Sequence, residues 1–198
     1  NLSDAMAELF TNIASTFRSD FTNKYSIIYT NFSLYFKNDF EIALMLLAEL
    51  SEDEGKFFSA NKIYEKIHPR SVFYWHARLR KARNLELLGE NKEAVLLLKQ
   101  MSVERKNRYD ILQLLGDILK NYEKYSEAIE AYNEAISRIT EINKNHWDLL
   151  YSRGMAYERS SQWEKAESDF LKVLNFVPNQ PEVLNYLGYS WIEQGLNI

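Results

Sequence analysis

Small residues recur along this chain at a fixed interval of 34 residues. Gly89 follows Gly55 by 34 residues, and Gly188 follows Gly154 by the same interval. A second series of small residues is spaced by 34, 34, 34 and 38 residues: Ser26, Ala60, Ala94, Ala128 and Ala166. A constant interval of this size is typical of stacked helix-turn-helix repeats, in which each repeat covers the apolar face of the next.

The second series, placed at repeat position 20, divides the chain into five repeats and one half repeat. They span 7–40, 41–74, 75–108, 109–146, 147–180 and 181–198. Position 8 is then small in every repeat: Ala14, Ala48, Ala82, Gly116, Gly154 and Gly188. A small residue there lets two antiparallel helices approach closely. The glycines at position 15, Gly55, Gly89 and Gly195, can end a first helix in the left-handed conformation.

Composition and apolar spacing favour an all-α fold. The chain has only 3 Pro and 6 Gly among its 198 residues, so it has few helix breakers. In 147–180 the apolar residues follow helical spacing and predict one buried stripe on each of two helices: Leu150, Tyr157, Trp163, Ala166, Phe170 and Val173. Residues 109–146 repeat this pattern with four extra residues around 139–145, which predict an added helical turn or a longer loop. We therefore expect a single α-solenoid of antiparallel helix pairs over 1–198.

Three stretches carry a resemblance to a known family. They read LLGDILKNYEKYSEAIEAYNEAI, YSRGMAYERSSQWEKAESDFLKVLNFVPNQPEVL and LNYLGYSWIEQGLN. With the repeat interval, they resemble the tetratricopeptide-repeat family over nearly the whole chain, which implies a right-handed superhelix that binds proteins. The last stretch is similar to multi-repeat members from alphaproteobacteria. That similarity implies a bacterial protein and leaves cytoplasm and periplasm or envelope open as its location.

The sequence lacks the residues that several classes of function require. The net charge of −4 argues against a nucleic-acid-binding surface, and no apolar run is long enough to span a membrane. There is no Cys, and none of His68, His76 and His146 has a ligand at metal-site spacing. Every glycine is explained by the repeat, so none is left for a phosphate-binding loop. We expect neither an enzyme nor a bound metal or cofactor.

One basic run, WHARLRKAR at 75–83, admits two interpretations. A nucleic-acid site would need the basic face to continue onto neighbouring helices with aromatic residues between the charges. The neighbouring first helices instead carry carboxylates: Glu49 and Glu52 on one side, Asp110 and Asp117 on the other. The sequence therefore favours ion pairs between repeats.

The family resemblance also implies where a partner binds. In such solenoids the first helices line a concave groove at repeat positions 2, 5, 9, 12 and 13. We expect the partner-binding residues to be Arg83, Tyr151, Met155, Tyr189, Asp117, Gln113 and His76. Aromatic and Met side chains make adaptable anchors in a groove. The alternative is that Tyr151 and Tyr189 pack between repeats.

Three functions remain open at this level. The first is a scaffold that binds a peptide segment or a protein in the groove. The second is the non-catalytic recognition arm of a larger enzyme, because the last repeat lacks a second helix and indicates a longer natural chain. The third is self-association, in which the uncovered residues Leu184, Leu187 and Trp191 of the last helix stack on another copy.

Overall fold

The computed structural model describes residues 1–18, 23–193 and 195, and within them the chain is entirely helical. The eleven α-helices are α1 (Leu2–Thr16), α2 (Asn23–Phe36), α3 (Glu41–Asp53), α4 (Phe57–Tyr64), α5 (Tyr74–Leu87), α6 (Asn91–Glu104), α7 (Tyr109–Asn121), α8 (Tyr125–Ser137), α9 (Trp147–Arg159), α10 (Trp163–Phe176) and α11 (Pro181–Glu193). A short 3-10 turn, Lys144–His146, precedes α9. The all-α prediction is confirmed.

The chain divides into two compact units, Asn1–Ala94 and Val95–Ile198. In the N-terminal unit α1 packs on α2, α2 on α3, α3 on α4 and α4 on α5. In the C-terminal unit α7 packs on α8, α8 on α9, α9 on α10 and α10 on α11, and α7 also contacts α9. Within each unit, therefore, every helix pair packs on the next pair, as in a solenoid.

Most helices begin where the repeat interval places them. α3, α7, α9 and α11 start on the first residue of their predicted repeats, and α5 starts one residue earlier. α1 differs, because it begins at Leu2, five residues before the predicted repeat. Asn1 explains this earlier start: its Oδ1 accepts a hydrogen bond of 3.0 Å from the backbone N–H of Asp4 and caps the helix.

The four extra residues of repeat 109–146 form a longer loop. α8 ends at Ser137, as the interval predicts for an ordinary second helix, and the chain reaches α9 through the 3-10 turn. The alternative of an added turn on α8 is therefore wrong. Asn143 stabilises the turn by accepting a hydrogen bond of 3.0 Å from the backbone N–H of Asn145.

The small residues at positions 8 and 20 lie where helices touch. Nine of them are buried completely or almost so: Ala14, Ser26, Ala48, Ala60, Ala82, Ala94, Ala128, Ala166 and Gly154. Gly116 is also buried, and a Cβ atom on it would lie 2.5 Å from the ring of Tyr132. A Cβ on Gly154 would lie equally close to the ring of Phe170. Helix approach thus explains the glycines at position 8.

The residue at position 15 adopts the left-handed conformation in every repeat in which the structure describes that residue. Gly55, Gly89 and Gly195 have φ of 71°, 78° and 67°. Glu123 and Ser161 occupy the same position in their repeats with φ of 57° and 62°. Residues other than glycine are strained in this conformation. Because Glu123 and Ser161 adopt it nevertheless, the packing of the repeat, and not the residue type, determines the backbone conformation at position 15.

Candidate functional site

A cleft of about 240 Å³ lies on the C-terminal unit between α9 and α11. Its lining residues are Glu158, Arg159, Asn185, Tyr186, Tyr189 and Ser190. Four of these six, Glu158, Arg159, Asn185 and Tyr189, hold repeat positions 12, 13, 5 and 9. These are positions that the family resemblance assigns to the groove.

Glu158 is the polar centre of the cleft. Its Oε2 accepts a hydrogen bond of 2.9 Å from the hydroxyl of Tyr186, and Nε of Arg159 lies 3.5 Å from the same oxygen. Burial and the neighbouring carboxylate raise the pKa of Tyr186 to about 12, so its hydroxyl remains a hydrogen-bond donor at neutral pH. This bond joins α9 to α11 and fixes one wall of the cleft.

Aromatic side chains pack against Tyr186, outside the lining of the cleft. The Tyr186 ring lies 5.1 Å from the ring of Phe170 and 6.2 Å from the ring of Tyr151, and Tyr151 lies 6.1 Å from Trp147. Tyr151 is half-buried, and this burial, followed by the charge of Glu182, raises its pKa. Rigid aromatic packing of this kind holds the backbone of α9 and α11 in place.

A buried ion pair anchors α9 to α10 behind the cleft. Arg153 donates two hydrogen bonds of 2.7 Å to the two carboxylate oxygens of Asp169, whose side chain is only 2% exposed. A third bond of 2.8 Å joins Arg153 to Asn133 on α8. The planar guanidinium therefore links three helices in one fixed geometry.

Tyr189 and Tyr151 have different surroundings, although both are predicted from the sequence to be groove residues. Tyr189 is 65% exposed at the cleft, whereas Tyr151 contacts Trp147, Phe170 and Tyr186. Packing between repeats thus describes Tyr151 and not Tyr189. Met155, one turn after Tyr151 on α9, is half-buried.

Two further predicted residues lie on α7 and make contacts within the C-terminal unit. Gln113 donates a hydrogen bond of 2.9 Å to Asp148 on α9. Asp117 accepts one of 2.8 Å from the hydroxyl of Tyr132. Burial and this negative charge raise the pKa of Tyr132 above its ordinary range. Asp117 therefore contributes to the α7–α8 packing.

The remaining predicted residues, His76 and Arg83, are exposed on α5 in the N-terminal unit. The basic run around them forms ion pairs: Arg80 contacts Glu52 on α3, and Lys81 lies 2.7 Å from Glu65. The predicted pairing between repeats is confirmed for Glu52.

The other predicted carboxylates of that pairing have different partners. Asp110 binds Arg108, two residues before it, with N–O distances of 2.7 and 2.5 Å. Glu49 binds Arg18 at 2.7 Å. Each of these two carboxylates thus has a partner outside the basic run, and its pairing with that run stays a prediction.

Tyr186 forms a wall of the cleft but is not among the residues predicted from the sequence. It stands at position 6, next to a groove position, and its partner Glu158 is 28 residues away in the preceding repeat. The signal that could have identified it is the closely spaced tyrosine pair Tyr186 and Tyr189 facing Glu158 at position 12 of the preceding repeat.

No group of three His, Asp or Glu side chains within residues 1–18, 23–193 and 195 is placed to hold a metal ion. In the same residues, none of the helices combines the length and the apolar character needed to cross a membrane.

The sequence matches no protein-family model and no curated protein. Solved structures are similar in fold. The chain superposes on residues 41 to the end of MamA from Desulfovibrio magneticus RS-1 with a TM-score of 0.71 and 18% identity, covering 89% of this chain and 97% of that one. YrrB, described as a tetratricopeptide-repeat protein with an unusual peptide-binding site, gives 0.65 and 18%, covering 95% and 94%. TTC0263 from Thermus thermophilus, also a tetratricopeptide-repeat protein, gives 0.66 and 11%, covering 94% and 99%.

These similarities agree with the repeat interval, the buried small residues and the left-handed caps. Solenoids of this kind fit a protein-interaction scaffold in general. The chain therefore has the fold of a tetratricopeptide-repeat solenoid.

Proposed function

We propose that this protein is a scaffold that binds an extended peptide segment of a partner protein at the cleft between α9 and α11. The observation that supports this most is Tyr189, an aromatic side chain 65% exposed beside a concave surface at a groove position. An aromatic residue offers a large contact area at small entropic cost and commonly dominates binding energy. Tyr189 is the anchor in this proposal, and Glu158 and Asn185 supply hydrogen-bonding groups.

The charges on the two helices that border the cleft, α9 and α11, indicate what kind of segment fits. Asp148 and Glu182 accept hydrogen bonds of 2.9 and 2.5 Å from the neutral amides of Gln113 and Gln180. Among the described residues, neither carboxylate has a cationic partner. Together with Glu158 they outweigh Arg159, so a segment carrying Lys or Arg is the complementary one.

Tyr151 and Met155 have a supporting role in this proposal. The ring of Tyr151 packs against the ring of Tyr186 at a distance of 6.2 Å. Replacing Tyr151 would therefore alter the cleft indirectly, by moving Tyr186. Arg83 and His76 lie in the other unit and remain predicted contact residues outside this cleft.

A library of random 12-residue peptides displayed on phage tests the proposal without knowledge of the natural partner. The library is selected on the wild-type chain and, in parallel, on Tyr189→Ala. We expect peptides that contain Lys or Arg to be enriched on the wild type, and their enrichment to be lost on the variant.

The matched control for this selection is Leu171→Ala. Leu171 is 43% exposed on α10, within the same unit, and does not line the cleft. Equal enrichment of the same peptides on all three proteins would mean that they bind elsewhere, and the proposed site would be wrong.

A further inference from the structure

The second helix, α2, buries small hydroxylated side chains and leaves several large apolar ones exposed. Its buried residues are Ser26, Thr30 and Ser33, all small and hydroxylated. Thr11 on α1 donates a hydrogen bond of 2.8 Å to Oγ of Ser33, which in turn donates one of 2.7 Å to the carbonyl of Ala7. Hydroxyl groups thus form part of the contact between α1 and α2, beside aromatic ring contacts between the two helices.

Four large apolar side chains of α2 lie on the opposite, exposed face. Tyr25, Ile28, Phe32 and Tyr35 are 44%, 49%, 47% and 83% exposed. Their spacings of 3, 4 and 3 residues form one stripe along the helix, with the period at which two helices pack together. We call these four residues the α2 stripe.

An open groove of about 560 Å³ runs along the α2 stripe. It is lined by Phe10, Ile28, Asn31, Phe32, Tyr35 and Phe36. Phe10 stacks on Phe36 at 5.6 Å and contacts Phe32 at 5.4 Å. The groove is therefore backed by fixed rings and keeps its shape. An exposed apolar surface of this kind marks an interaction site.

Two other second helices, α8 and α10, show what a solvated outer face looks like in this chain. α8 carries three exposed glutamates, and α10 carries Glu164, Lys165, Glu167 and Lys172 at exposed or half-exposed positions. The 14 residues of α2 include a single charged one, Lys24. The outer face of α2 therefore lacks the charges that keep such a face in water.

We propose that a second copy of this chain covers the α2 stripe, with the two α2 helices antiparallel about a twofold axis. An isologous contact of this kind brings the same patch of both copies together. The axis lies near Thr30, midway along the stripe. Tyr25 then faces the partner's Tyr35, and Ile28 faces the partner's Phe32. Each copy thus supplies the ring or the aliphatic group that fills the other's groove.

Charge complementarity favours the antiparallel arrangement. Lys24 stands in the first turn of α2, and Asp39 follows its last turn. The twofold axis places Lys24 beside the C-terminal end of the partner's α2, where free carbonyl groups and the partner's Asp39 carry negative charge. Lys37, the nearby cation, is already paired with Asp4 at 2.8 Å. A parallel arrangement would instead place the two Lys24 side chains together.

Sedimentation equilibrium measures the assembly directly. We expect the wild type to be a dimer, and Ile28→Glu/Tyr35→Glu to be a monomer with an unchanged circular dichroism spectrum. Both residues are exposed, and the ring of Tyr35 contacts Phe36 of its own helix, so the substitution leaves the ring contacts between α1 and α2 in place. The control, Leu171→Glu, alters a similarly exposed residue of α10 and stays dimeric. A wild type that is monomeric at every concentration would overturn the proposal, as would a dimer that survives the double substitution.

Disulfide trapping tests the direction of the helices. The chain has no Cys, so each introduced cysteine is unique. We expect a mixture of Tyr25→Cys and Tyr35→Cys proteins to form the mixed disulfide, whereas Tyr25→Cys alone forms little, because its two copies lie ~15 Å apart along the helix axis. Preferential Tyr25→Cys homodimers would indicate parallel helices and contradict the twofold model.

Discussion

The ring of Tyr132 lies directly against Gly116. A Cβ atom on that glycine would be 2.5 Å from Cε1 and 2.6 Å from Cδ1 of the ring. Tyr132 is fully buried, and its hydroxyl reaches past the glycine to Asp117 at 2.8 Å. One contact therefore links a residue at position 8 of the repeat with a large aromatic residue from the second helix, and the same contact recurs between Gly154 and Phe170.

Gly116→Ala should destabilise the C-terminal unit by about 1–3 kcal/mol, because the added methyl group has no room beside a buried ring. Urea denaturation followed by circular dichroism measures the change. Gly188→Ala is the matched control: apart from its chain neighbours and its own helix backbone, no atom of the described residues lies within 4 Å of the added Cβ. Since alanine favours helix over glycine, this variant should be more stable by about 0.5–1 kcal/mol. Equal effects of the two substitutions would contradict the close-approach explanation.

Glu123→Gly and Ser161→Gly should each stabilise the chain. Both residues have positive φ, 57° and 62°, and glycine removes a strain of about 1 kcal/mol in that conformation. Part of this gain is offset by the greater flexibility of glycine when unfolded. The expected result is a higher midpoint of thermal unfolding for both variants and, in the opposite direction, a lower one for Gly89→Ala. A lower midpoint for Glu123→Gly would contradict the strain argument.

Asp169→Ala should cost about 3–5 kcal/mol, because it leaves the guanidinium of Arg153 without its buried partner. The side chains of Asp169 and Arg153 are 2% and 14% exposed. Lys172→Ala removes the more distant cation, 3.9 Å from the same carboxylate and 56% exposed, and should change the stability by less than about 0.5 kcal/mol. Chemical denaturation measures the free energy of unfolding of both variants. Similar losses for the two would contradict the assignment of the α9–α10 contact to the bidentate pair.

The stability of the C-terminal unit should fall above about pH 10, because burial raises the pKa of Tyr132 and of Tyr186. A raised pKa means that the folded state keeps a proton that the unfolded state loses, so stability is fully present below the ordinary phenol pKa and is lost above it. Each such tyrosine contributes a slope of about −1.4 kcal/mol per pH unit. Tyr132→Phe should make the measured slope shallower by one proton. An unchanged slope would show that this hydroxyl does not remain protonated in the fold.

The repeat fold could be predicted because its constraints are local in sequence. Gly55 and Gly89 mark left-handed caps, and Gly116 and Gly154 mark close helix contacts, at a constant interval. The sequence does not distinguish a longer loop before α9 from an added turn of α8, because either one accommodates four extra residues.

The details of the candidate site were less accessible, because they depend on contacts between repeats. Tyr151 and Tyr189 look alike in the sequence, yet one is packed among three aromatic rings and the other is exposed at the cleft. Which of the two tyrosines is half-buried depends on how α11 packs on α10. No residue pattern within one repeat predicts that packing. The α2 stripe is hidden in the sequence for a different reason: the repeat interval marks Ser26 only as a small residue, and the exposure of Tyr35 and Phe32 requires the three-dimensional structure.

The most direct test of the account is the affinity of the most strongly selected peptide, measured by isothermal titration calorimetry against the wild type, Tyr189→Ala and Leu171→Ala. Removal of an aromatic anchor ordinarily costs about 2 kcal/mol or more. The account therefore predicts binding at least about tenfold weaker for Tyr189→Ala. It predicts an unchanged affinity for Leu171→Ala. Equal affinities for all three proteins would contradict the assignment of peptide binding to the cleft between α9 and α11.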